Sequence, residues 1–190
     1  IKVASIPKER IQVYFIDNED YFKRKGTYKS PDGQLFKDND ERAIFFAKGV
    51  LSTIKRLNWA PDIIHVHGWL SAFVPLYLRE TYKDEPTFQN SKVITSIYGT
   101  GFAGSLNKKL LDKILFDEIE KNKIIGIKTP NYNNLMKIAI DFSDGLIVGS
   151  EKITKQLEDY INKSKKPVLE FQEKDAFGEK YIEFYNKLLN

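Results

Sequence analysis

Apolar side chains open the chain in two short clusters, Ile1 to Ile6 and Ile11 to Asp17, separated by the polar Pro7-Lys8-Glu9-Arg10. Clusters of this length around a polar turn predict two strands, read here as pieces of a larger sheet. From Asn18 to Lys37 periodicity disappears, and the segment is polar, aromatic and rich in turn formers such as Ser30-Pro31-Asp32-Gly33. A loop this long in a compact domain is usually functional. A helix is predicted next. Asp38 and Glu41 have capping-box spacing, and Ala43, Phe46, Ala47, Val50, Leu51 and Ile54 repeat at 3, 4, 7, 8 and 11 residues.

Beyond Asn58-Trp59-Ala60-Pro61, the run Asp62 to Val66 has strand character, and Leu70, Phe73, Val74, Tyr77 and Leu78 form the stripe of a following helix. Lys92 to Ile97 returns to β-branched apolar residues before Gly99, Gly101 and Gly104 break the pattern. A Leu- and Lys-rich helix is expected over Leu106 to Asn122, a short strand over Lys123 to Ile127, a helix over Asn131 to Phe142 and a strand over Gly145 to Gly149. Ser150 is the expected N-cap of a charged helix reaching Ile161. Pro167 to Glu170 reads as a last extended segment, and Phe177, Tyr181, Phe184, Tyr185 and Leu188 mark a C-terminal helix. Strand and helix alternate throughout. That order predicts an α/β fold with a mostly parallel sheet, helices on both faces and right-handed crossovers.

Composition narrows the classes. With 190 residues and 42% hydrophobic content the chain suits one domain with a real core. It has no cysteine, so disulfides and thiolate metal sites are excluded, and the reading is cytoplasmic. No apolar run approaches the roughly 18 residues that span a bilayer, and no signal-like segment is present, so membrane partners are not expected. The charge of +4, from 30 Lys and Arg against 26 Asp and Glu, is interspersed along predicted helices. A solvated surface explains it better than nucleic-acid binding, which needs basic groups concentrated on one face.

The candidate chemistry lies at the end of the Asp62 strand. On a strand, His65 and His67 share one face about 7 Å apart, at the carboxyl end where open α/β sheets bind ligands. They are the chain's only histidines, so a metal would need carboxylates to complete its shell, and no metal is expected. Two readings stay open: imidazoles satisfied by neighbouring backbone under a helix, or His67 offered as a neutral hydrogen-bonding group suited to sugar hydroxyls. Trp59 and Trp69 are either sugar-stacking rings or core. The loop aromatics Tyr21, Phe22, Tyr28 and Phe36 suit carbohydrate or protein contacts. Gly99-Thr100-Gly101-Phe102-Ala103-Gly104 has Gly-x-Gly-x-x-Gly spacing, but a dinucleotide site needs an acid at the end of the next strand. Glu118 and Glu120 instead fall in a predicted helix.

Taken in order, Val13-Tyr14-Phe15-Ile16-Asp17-Asn18, Tyr21-Phe22, Arg24, Gly26, Tyr28, Asp38-Asn39 with Arg42 and Phe45, and Pro61-Asp62 through Leu78 resemble the N-terminal domain of bacterial glycogen synthases and plant starch synthases. The likeness covers about Ile11 to Ile97. A weaker echo is Ser143-Asp144-Gly145-Leu146-Ile147-Val148-Gly149-Ser150, similar to the family's Ala-Asp-x-Val-x-Thr-Val-Ser. Short single-domain members that end in an aromatic-rich helix are the most similar.

The resemblance implies a Rossmann-like half of a GT-B glycosyltransferase, residues 1–190 forming one domain that lacks its first strands and helices. It implies retaining glucosyl transfer from a nucleotide-glucose, ADP-glucose favoured, to an α-1,4-glucan, with no metal and no cofactor. His67 and Asp38 are the implied catalytic residues, and Arg42, Trp69 and Tyr98 the implied substrate-binding ones. Gly68 stands where the family has the Asp of His-Asp-Trp, Tyr98-Gly99 stands where it has His-Asn, and its Lys-x-Gly-Gly-Leu loop is not found. Because the family holds the nucleotide diphosphate mainly in a second domain, this chain alone is expected to be inactive. A partner glycosyltransferase chain would supply the rest. The alternative is a non-catalytic glucan-binding or regulatory protein of glycogen metabolism.

Overall fold

The computed structural model describes residues 1–190. In chain order its strands are β1 (Lys2–Ile6), β2 (Ile11–Phe15), β3 (Ile63–His67), β4 (Lys92–Ile97), β5 (Gly145–Val148) and β6 (Val168–Leu169). Its helices are α1 (Glu19–Phe22), α2 (Asn39–Arg56), α3 (Val74–Glu80), α4 (Leu110–Leu115), α5 (Lys121–Ile124), α6 (Tyr132–Asp141), α7 (Lys155–Ser164) and α8 (Phe177–Leu189). The alternation read from the sequence produces a parallel sheet in the order β3-β4-β5-β6. Neighbours in space are neighbours in sequence, so crossovers of one hand carry the connecting helices to one face.

That face buries Ile64, Val66, Val93, Ile97 and Leu146 against Ala43, Ala47 and Leu51 of α2, Leu76 and Tyr77 of α3, Leu135 and Ala139 of α6 and Leu157 of α7. The opposite face is covered by α8, whose Tyr181 and Phe184 pack on Ile94 and Ile147, with Ile63, Leu169, Tyr185 and Leu188 at the margin. Gly145 permits this approach: a β-carbon there would lie 2.6 Å from Leu188. Both faces therefore carry helices, as the alternation predicts.

Five local expectations are corrected. β1 and β2 pair with each other as a separate antiparallel ribbon and do not join the main sheet. Ile16, just beyond them, sits where a β-carbon on Gly49 of α2 would be. The helix expected over Leu106 to Asn122 is divided into α4 and α5 by a turn in which Glu118 takes φ +62°. The strand expected over Lys123 to Ile127 is helical, because Ile124 and Ile127 are buried at helical rather than alternating spacing. Thr154, not Ser150, caps α7 by accepting the Leu157 N–H, while Ser150 Oγ accepts the Gly99 N–H at 3.1 Å. Asp38 occupies the N-cap position of α2 but makes no capping bond, its carboxylate being turned to Arg24.

Candidate functional site

β3 carries the chain from the apolar pair Ile63 and Ile64 to two imidazoles at its carboxyl end, where Gly68 takes φ +71° and turns the backbone into a 3-10 turn over Trp69–Ser71. An L-residue with a side chain adopts that φ only with strain, which accounts for glycine directly after His67. Ser71 secures the turn by donating to the carbonyls of His67 at 2.8 Å and Gly68 at 3.0 Å.

His65 and His67 lie on the α8 side of the sheet with ring centroids 4.0 Å apart, closer than the strand repeat alone gives. Their surroundings differ. His65 is bonded at both nitrogens, Nδ1 to the Tyr185 hydroxyl at 2.7 Å and Nε2 to Ser96 Oγ at 2.8 Å. Burial, and secondly the neighbouring His67, push its pKa down to about 3. It is therefore a neutral structural bridge between β3, β4 and α8, with no nitrogen left for a metal. His67 is exposed and bonds through Nδ1 to the Tyr98 hydroxyl at 2.7 Å. Its pKa is lowered by burial, so it too is neutral near pH 7. Its Nε2 has no hydrogen-bond partner within the protein, and a neutral imidazole there can donate to or accept from a ligand hydroxyl.

A second group forms at the start of α2. Asp38 accepts both Arg24 guanidinium nitrogens at 2.9 Å, a bidentate pair that ties the Asn18 to Lys37 loop to the helix. Arg42 is 3% exposed. It donates to Asn39 Oδ1 at 2.6 Å and packs over the rings of Phe22 and Phe36. Asn39 in turn donates to the Tyr28 carbonyl at 2.9 Å, and the Tyr28 ring lies 4.7 Å from Trp69. Trp69 is 5% exposed, enclosed by Tyr28 and by Phe102 at 5.0 Å. Trp69 borders a small cavity of about 220 Å³ that Tyr28 and Phe102 also line.

The five residues predicted for the site thus fall into two groups. His67 and Tyr98 touch directly. Asp38, Arg42 and Trp69 belong to the loop-and-helix group, which meets the first along the backbone at Gly68 and through Phe102, packed between Trp69 and the Tyr132 ring whose hydroxyl donates to the Tyr98 carbonyl. Trp59, the other tryptophan, is 57% exposed beside the β3 edge. The glycine-rich segment is no phosphate loop: Gly99 is pressed against the Lys152 carbonyl and Gly101 against the Tyr132 ring. No group of three or more His, Cys, Asp or Glu side chains has the geometry of a metal site, and no helix is long and apolar enough to cross a membrane. Sequence reasoning did not assign Tyr185 or Ser96 to the site. Tyr185 was visible only as part of the stripe of a helix 120 residues away.

Fold and corner together define a Rossmann-like parallel α/β domain whose polar groups gather where the strands end. The chain belongs to the starch synthase catalytic domain family, whose model matches residues 1–165. It is 41% identical over 120 residues to a glycogen synthase of Chlorobium luteolum, covering 63% of this chain and 24% of that one. To a glycogen synthase of Chlorobaculum tepidum it is 35% identical over 161 residues, covering 84% of this chain and 32% of the relative. The chain therefore spans about a quarter to a third of the length of the curated relatives it matches. In fold it resembles the catalytic domain of starch synthase IV from Arabidopsis thaliana, bound to ADP and acarbose, with a TM-score of 0.58 at 18% identity over 76% of this chain and 32% of that one. α8 lies beyond the residues that the family model matches.

Proposed function

We propose that this chain is the acceptor half of a glycogen or starch synthase-type glucosyltransferase. It presents an α-1,4-glucan end at the His67 corner for transfer from a nucleotide-glucose, ADP-glucose favoured. The reading is carried by one observation, the exposed His67 imidazole held by Tyr98 with Nε2 unpartnered at the carboxyl edge of the sheet. Family membership supplies the reaction class, and the relatives are named as glycogen synthases.

His67 orients a sugar hydroxyl, with Tyr98 fixing the ring. Asp38, Arg42 and Trp69 act as positioning residues that hold the Tyr28 loop against the corner. A departing nucleotide diphosphate must be met by preorganised positive donors, and His67, its pKa lowered by burial, supplies no positive charge. Transfer accordingly depends on a nucleotide-binding partner domain or chain. The solvent-facing corner needs no metal or cofactor in this scheme, and the site of action is cytoplasmic.

The test combines glucosyl transfer from labelled ADP-glucose to glycogen with electrophoresis in glycogen-containing gels. The chain alone is expected to migrate slowly in glycogen and to transfer nothing, and His67→Ala is expected to migrate faster. Transfer by the isolated chain would overturn its dependence on a partner. Mobility unaffected by glycogen would remove glucan recognition, and with it the alternative of a non-catalytic glucan-binding protein.

A further inference from the structure

The two edges of the main sheet are not alike. At one end β6 is only two residues long and follows Lys165-Lys166-Pro167, features that blunt an edge against further pairing. At the other end β3 runs five residues, Ile63-Ile64-His65-Val66-His67, with no proline or lysine, and its outer main chain has no strand partner. Beside it lies an apolar groove of about 350 Å³, lined by Trp59, Pro61 and Ile63 on one side and by Ile182 and Leu189 of α8 on the other. Trp59 and Ile182 are each more than half exposed. Edges of this kind are templates for another strand.

The β1–β2 ribbon is unpartnered in a matching way. Residues paired across the two strands share a face, and the register puts Ala4, Ile6, Ile11, Val13 and Phe15 on one side and Val3, Ser5, Gln12 and Tyr14 on the other. The first face is apolar except for Lys2 at its end, yet Ile6, Ile11 and Phe15 are about half exposed. A ribbon of two strands is marginal on its own and gains stability from a further strand or from cover on its apolar face. Its root is fixed, because Ile16 packs on Gly49 of α2. One chain thus carries a strand edge flanked by an apolar groove and a ribbon with an apolar face, and joins neither to the other.

We propose that the β3 edge is a docking surface for the β1–β2 ribbon of a second copy of this chain. β2 adds to β3 as an outer strand, the apolar face of the ribbon covers the groove, and the exchange is reciprocal across a two-fold axis. Area supports a dimer of this form. Ile6, Ile11 and Phe15 on the ribbon and Trp59, Ile182 and Leu189 at the groove are each 44–59% exposed, and two reciprocal contacts with their main-chain edges cover on the order of 1,200 Å², the low end of specific interfaces. Charge agrees, since Asp62 is the one charged residue lining the groove and the ribbon's turn, Pro7-Lys8-Glu9-Arg10, is net positive. The groove flanks Ile63, at the opposite end of β3 from His67, so the corner stays open.

Analytical ultracentrifugation of the full chain from about 1 to 500 μM is the test, and a reversible dimer with a dissociation constant in the micromolar range is expected. Trp59→Ser with Ile182→Asn disables the groove, and Ile11→Thr with Phe15→Thr disables the apolar face of the ribbon. Each pair of changes, at exposed positions, is expected to weaken dimerisation at least about tenfold. An equimolar mixture of the two variants is expected to recover association, because one of its two contacts joins an intact ribbon to an intact groove. A chain that stays monomeric to the highest concentration overturns the proposal, and so does a groove variant that dimerises like wild type, the result expected if ribbons meet ribbons. Amide exchange of the unaltered chain decides the matter without any variant. The β3 amides that do not donate to β4 are expected to gain protection as concentration rises, and exchange that ignores concentration overturns the β3 edge as the contact.

Discussion

The two faces of the sheet come from the same strands and bury different chemistry. Toward α2, α3, α6 and α7 the strands present Ile64, Val66, Val93, Ile97 and Leu146, and the one polar residue there, Thr95, is closed by a 2.7 Å hydrogen bond to Ser143. Toward α8 the face begins apolar with Ile63, Ile94, Ile147 and Leu169 and becomes polar along the strand direction through His65, Ser96 and His67. Period-two alternation thus yields a dry wall on one side. On the other it yields a gradient that ends at the edge where parallel sheets bind ligands. The tyrosines of α8 suit that gradient, with rings that pack and a hydroxyl that satisfies a buried imidazole.

The largest expected effect tests the dry wall. Ile97→Ala should lower stability by about 3 kcal/mol, since a fully buried aliphatic loses both its transfer free energy and its packing partners. Ile94→Ala, equally buried but covered by a single helix able to settle into the space, should cost about 2 kcal/mol. Denaturant unfolding of both variants measures the difference. Equal costs would show that α8 is as rigid a cover as the multi-helix layer.

The next effect is the acid sensitivity of the α8 face. The pKa of His65 is pushed down to about 3, below about 6.5 for an unfolded histidine. Between these values the unfolded chain binds the extra proton, so stability rises with pH across that window. The contribution is complete above about pH 6.5 and is lost as pH falls toward 3. Discounted for partial solvation of the ring, the change is about 2 kcal/mol. Unfolding midpoints of wild type and His65→Asn from neutral to acid pH provide the check, and parallel curves would rule His65 out as the source. Tyr185→Phe follows at about 1 kcal/mol, because a half-buried imidazole nitrogen loses its partner.

How much of this was legible in the sequence follows from the range of the forces involved. β4 was read to the residue and α6, β5 and α8 nearly so, because their apolar periods are local. The division between α4 and α5 was not, since Asp117 turns the chain there through Tyr77, which is 40 residues distant. Asp38 was read as a cap because Glu41 has the right spacing, but Arg24 offers a bidentate pair that no capping pattern encodes. His65 and His67 were placed on one face by alternation alone. That one is a sealed bridge and the other an open donor depends on Tyr185 and Tyr98, and only the fold brings those together.

The smallest effect bears on the comparison most directly. His67 is exposed, so water replaces the Tyr98 hydroxyl when Tyr98→Phe removes it, and stability should change by less than about 0.5 kcal/mol. Function should respond more than stability. With Nδ1 released from Tyr98, the ring is free to rotate and to exchange tautomers, and a sugar hydroxyl then meets the correct nitrogen only part of the time. Nitrogen spectra of the two imidazoles should show His67 moving to a mixture of tautomers while His65 is unaltered, together with weaker retardation in glycogen gels. If Tyr98→Phe instead destabilises the chain as much as Tyr185→Phe, both histidines are structural bridges, and the polar end of the gradient is a continuation of the core.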